Sequence, residues 1–143
     1  MNQRHPRNQI LHAAAAALEP LVAARMVEKI AVSLTSSKDQ SPYIAVRSDQ
    51  ETVERIDTDT LQRTFLMILQ ITVHADDEAQ NLLDELTWQI EQHINAASWP
   101  DDLFLMYTPE LAGTEFPDLP GEQLAGAQII YRITYHTQPQ QRN

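Results

Sequence analysis

The sequence predicts an α+β fold of about four to six strands and two helices, and three observations carry that reading. Phe65, Met67, Leu69, Ile71 and Val73 form an unbroken apolar face of period two. Ala79, Leu82, Leu83, Leu86, Ile90, Ile94 and Ala97 fall in one stripe of a helical wheel. Ile129, Tyr131, Ile133 and Tyr135 alternate with polar residues near the end of the chain. Periods of 2.0 and 3.6 separate strands from helices because successive side chains alternate across a pleat but recur every third or fourth position on a helix.

Taken in order, Pro6 suits a first helical turn, and Ile10, Leu11, Ala14 and Leu18 recur at helical spacing, so a helix is predicted over 6–18. Its alanine-rich face is small enough for another backbone to approach closely, either within the fold, the default, or from a neighbouring subunit. Pro20 is expected to end or kink it. Ile30, Val32 and Leu34 alternate with smaller polar residues and predict a strand, and Thr35 to Pro42 a loop. Tyr43 to Arg47 and Glu51 to Ile56 read as two strands, and Asp57-Thr58-Asp59-Thr60 as a turn that aspartate side chains can close.

The run Gln62 to Ala75 reads as the strongest strand. Leu66 and Ile68 make its first half apolar on both faces, hence central and covered on both sides, while Gln70, Thr72 and His74 mark a wetter second half. Asp76 to Ala97 is the second predicted helix, with Asp76, Asp77 and Glu78 placed in its first turn at the positive end of the dipole. Trp88 falls opposite the apolar stripe, where it either packs beneath a following loop or meets another chain. Of residues 98–124 only Leu103 to Tyr107 looks strand-like, leaving Thr108 to Leu124 as a long irregular loop, a kind that usually serves a function or is disordered. The last strand is half-buried, with Gln128, Arg132, Thr134 and His136 on its polar side.

The chain has 143 residues, 43% of them apolar and 21% charged, which fits one globular domain over 1–137 followed by a polar tail, 138–143. No internal repeat is visible. There are no cysteines, so a disulfide framework, a thiolate zinc site and a cysteine nucleophile are excluded; a reducing compartment is the simpler reading. The N-terminus shows no apolar run with a cleavage site, and the expectation is a soluble protein that is not exported.

The net charge of −10 is unevenly spread. Residues 1–47 carry six basic against three acidic residues, and residues 48–143 carry four against seventeen. From Arg63 to Arg132 twelve carboxylates occur without a single Lys or Arg between them. Phosphate binding through that segment is disfavoured, because cations are needed to displace the counterions of a nucleic acid. The plain reading is a solvated acidic surface.

Catalytic signatures are scarce. His74, Asp76, Asp77 and Glu78 concentrate metal-ligand types at a strand-to-helix junction, but helix capping explains the carboxylates and no second cluster completes a site. His93 lies at the margin of the apolar stripe as a packed histidine, and His5, His12 and His136 stand alone. No G-x-S-x-G elbow occurs, and three glycines cannot build a phosphate-cradling loop. The expectation is no enzyme activity, no cofactor and no metal.

Four stretches carry a resemblance: Pro42-Tyr43-Ile44-Ala45-Val46, Ile56-Asp57-Thr58-Asp59-Thr60-Leu61, Leu82-Leu83-Asp84-Glu85-Leu86 and Tyr131-Arg132-Ile133-Thr134-Tyr135. In wording and order the chain resembles the tail terminator proteins, the minor tail protein U family, of lambda-like long-tailed phages. The resemblance covers about residues 40–137, agrees with the first helix only in kind, and lapses at 20–38 and 108–122. It implies a mixed, mainly antiparallel sheet with two helices packed on it. It also implies a homo-hexameric ring in the virion tail, assembled in the bacterial host cytoplasm. Such a ring caps the tail tube protein, ends tube polymerisation and offers a surface to the head-tail connector protein. DNA would pass without specific binding, and no membrane is involved.

On that footing Glu110, Glu115, Asp118 and Glu122 are candidates to face the lumen or the tube, and Trp88 is a candidate subunit or tube contact. Three other readings compete. They are a neck or tail-completion protein of the same fold, an acidic DNA-mimic inhibitor, for which no phosphate-like carboxylate spacing is found, and a small metal-dependent enzyme using His74, Asp76 and Asp77.

Overall fold

The structure, a computed structural model, describes residues 5–34, 41–99, 101, 105–117 and 123–138. Helix α1 spans Pro6–Ala17, with its proline in the first turn as expected and the His5 ring nitrogen Nδ1 accepting the Arg7 backbone N–H at 3.0 Å. Pro20 does more than end α1: it sits in the first turn of a short helix, α2, Glu19–Ala23, where its missing N–H costs nothing. Arg25 then takes a left-handed backbone conformation (φ 64°) as the chain turns towards strand β1, Lys29–Val32.

Strand β2, Tyr43–Asp57, runs parallel to β1 with Ile30 opposite Ile44. The two predicted strands at 43–47 and 51–56 are one. Gln50, at φ 47°, forms a bulge between Asp49 and Glu51, and that extra residue shifts the side-chain alternation, which is why the pattern reads as broken. The turn falls where predicted, and the Asp59 N–H donates to the Asp57 carboxylate at 2.8 Å. Strand β3, Thr60–His74, returns antiparallel.

Helix α3 spans Ala79–Asn95, three residues later than predicted at its start. Asp76 Oδ1 accepts the Glu78 N–H at 2.9 Å, so the acidic residues make a turn ahead of the helix, Glu78 standing at its N-cap. Residues 108–124 are not all loop. Glu110–Glu115 form strand β4, and strand β5 starts earlier than its clean alternation, at Leu124, and ends at Thr137. Of the predicted strand at 103–107, Leu105 makes an isolated bridge to Tyr135, while 102–104 lie outside the described residues.

The sheet is mixed and mainly antiparallel, in the order β1-β2-β3-β5-β4, with two long helices packed on it. β3 is central and pairs along its length with both β2 and β5. Alternate residues, including Ile44, Val46, Phe65, Met67, Leu69, Ile71, Ile129, Tyr131, Ile133 and Tyr135, meet Ile10, Leu11 and Ala14 of α1 and Leu83, Leu86, Ile90 and Ile94 of α3 in one core. Burying that many large apolar side chains, at roughly 1.5–3 kcal/mol each, is the main force holding helices to sheet.

The opposite face carries no helix among the described residues. It holds Tyr43, Ala45, Leu66, Ile68, Gln70, Thr72, Gln128, Ile130 and Arg132. The predicted order of wetting along β3 is corrected here: Leu66 is only half-buried, whereas Thr72, in register with the buried Tyr43, is 1% exposed.

Candidate functional site

The His74 junction does not assemble a site. His74 is exposed, Asp76 is spent on its turn, and Glu78 Oε2 accepts from Asn81 Nδ2 at 3.2 Å. Among the described residues no group of three or more His, Asp or Glu side chains is arranged to hold a metal ion. His93 holds its ring nitrogen 2.8 Å from the Gln89 carbonyl oxygen, a contact within its own helix.

Among the described residues the one dense polar cluster lies where α1 meets the sheet. Glu51 accepts from Arg7 Nη1 at 2.8 Å, from Arg63 Nη1 at 2.9 Å and from the Tyr135 hydroxyl at 2.8 Å. Arg63 Nε also donates to Thr137 Oγ1 at 2.8 Å. Partial burial pushes the Glu51 carboxyl up, but the bonds from Arg7, Tyr135 and Arg63 outweigh it and hold the group below the usual carboxylate range. The neighbouring His5 is held below its ordinary value by burial and by the Arg7 charge. A carboxylate this fully engaged is a clamp joining α1, β2, β3 and β5, and the bulge at Gln50 is what turns it towards Arg7. Nothing in the sequence pointed to it, because the partners lie 44, 12 and 84 positions away.

The exposed surfaces are more informative. Glu110 and Glu115, read as loop residues, stand on β4, both exposed and both on the helix-free face, opposite Arg132 and Gln128 of β5. Asp118 and Glu122 lie outside the described residues. Arg132 approaches Glu110 only to 3.9 Å with both side chains over half exposed, a pair that contributes little. Around β4, Met106, Tyr107, Leu111 and Phe116 are 42–60% exposed. Sequence reading missed this patch, since β4 is short, interrupted by Gly113 and bulged between Leu111 and Gly113. Trp88 is 59% exposed on α3, so no described loop covers it.

A shallow groove between α1 and the end of α3 is lined by Ala13, Ala16, Ala17, Ala96 and Ala97. The small residues that were expected to admit a neighbouring backbone thus do so only in part. No helix of the described residues is long and apolar enough to cross a membrane.

Compared with known proteins, the chain matches no family model and no curated sequence.

Proposed function

We propose that the chain is a non-enzymatic structural subunit of a phage or prophage tail, a terminator that caps the tail tube as a hexameric ring and forms the head-joining surface. The observation that carries this reading is the placement of the four family-like stretches. They supply the start of β2, the β2–β3 turn, the body of α3 and the core of β5, which together make up the helix-on-sheet unit that the resemblance implies. Exposed apolar side chains at β4, Leu111 and Phe116, and on α3, Trp88, give such a subunit surfaces through which to assemble. The exposed Glu110 would then face the lumen or tube, repelling the phosphates of passing DNA.

The test is to add the full chain to tail tubes of the same phage while they polymerise. Tubes that stop at a defined length, capped by a six-fold ring in electron micrographs, support the reading. Tubes of unchanged length distribution with no cap overturn it.

A further inference from the structure

We propose that copies of this chain associate head to tail by laying the outer edge of β4 antiparallel against the outer edge of β1 in the next copy. Strands β1 and β4 close the two ends of the sheet, and among the described residues each turns one side to no other strand. A row of backbone donors and acceptors left in that state is a template for another strand. Direction favours the pairing. β1 is parallel to β2, β2 antiparallel to β3, β3 to β5 and β5 to β4, so β4 runs opposite to β1. A second copy in the same orientation therefore continues the sheet antiparallel, with its helices on the same side.

Side chains at the two edges fit the same arrangement. Leu111 and Phe116 flank the β4 edge, and Leu34, 79% exposed, follows β1 directly. With Gly113 opposite Ala31 of the next copy, the exposed Glu115 of β4 would meet the exposed Lys29 of β1, both on the helix-free face. Another free edge exists on the described structure, the part of β2 beyond Val46, where β1 has ended. That stretch carries Asp49, Glu51, Glu54 and Asp57 against Arg47 and Arg55, and its bulge bends it. Like charge and distortion both disfavour it as a mate for β4, so β1 is selected.

A contact between two different surfaces propagates in one direction and closes into a ring when the rotation allows. The contact stands on these edges alone; only its closure at six rests on the function proposed above.

The experiment is sedimentation of the full chain over a range of concentrations, with circular dichroism as a check of fold. Wild type should associate beyond a dimer. E115K and K29E should each weaken association at least about threefold, equivalent to about 0.7 kcal/mol, and an equimolar mixture of the two should restore it. Independently of charge, the cysteine-free chain can carry Ala31→Cys with Gly113→Cys, both on the helix-free face, where a Cβ at Gly113 meets nothing within 4 Å. Oxidation or a short bis-maleimide should give a covalent ladder, and Gly113→Cys alone should stay uncoupled. A wild type that is monomeric throughout, a mixture that fails to restore association, or a dimer from Gly113→Cys alone would each overturn the proposal. A ladder from a protein that fails to cap tubes overturns the function and leaves this contact standing.

Discussion

At the scale of single residues, Tyr131 and Tyr135 show how equal positions acquire unequal roles. Both lie on the core side of β5, four residues apart, and both are essentially buried. The Tyr135 hydroxyl donates to Glu51, whereas the Tyr131 hydroxyl has no hydrogen-bond partner among the described residues. Burial raises both phenol pKa values, reinforced by the Glu91 charge for Tyr131 and by the bond to Glu51 for Tyr135. Tyr131→Phe should therefore leave stability unchanged or raise it by up to about 1 kcal/mol, and Tyr135→Phe should lower it by about 1.5–3 kcal/mol, because a bond to a charged group is lost. The ring of Tyr135, edge-on to Phe65 at 5.9 Å, survives in that variant. Denaturant melts at neutral pH measure the difference. Glu51 has a depressed carboxyl pKa, so it stabilises above the unfolded value and the gain is lost as pH falls through the folded one. Removing the Tyr135 donor brings the folded pKa up, so Tyr135→Phe should also unfold at a higher pH on acid titration.

At the scale of elements, period and length decided what could be read. The long strand β3, the stripe of α3 and the alternation in β5 are legible because each repeats its period several times. β4 has six residues, a glycine and a bulge, too little pattern to separate it from a loop. The bulge in β2 likewise made one strand look like two. At its centre Gln50 holds a left-handed backbone that favours glycine, so Gln50→Gly should be neutral or stabilising by up to about 1 kcal/mol. Gln50→Val should cost about 1–2 kcal/mol and loosen the Glu51 clamp, since a β-branched residue resists that conformation. Thermal melts of the two variants give opposite signs if the bulge is as described.

At the scale of the whole molecule, the helices of the described residues gather on one face, and among those residues the other face and both sheet edges are left for contact. Trp88 lies on the solvent side of α3, and on the function proposed above it would meet the tube or a neighbouring subunit. Because it is 59% exposed, Trp88→Ala should change folding stability by no more than about 0.5 kcal/mol. It should nevertheless weaken ring or tube assembly; tail length and ring mass unaltered by the variant would remove Trp88 from the contact surface.

The sequence by itself determined the α+β class, the position of the β2–β3 turn, the apolar faces of β3, α3 and β5, and the segregation of charge along the chain. Those features are local, written in repeating periods or in composition. Only the tertiary structure decided that Glu51, Arg7, Arg63 and Tyr135 share one cluster, that β4 is a strand, and that Glu115 and Lys29 stand on the two opposite edge strands of one sheet. Such relations depend on which strands pair and in what register, and pairing joins residues far apart in the chain through geometry that no local pattern encodes.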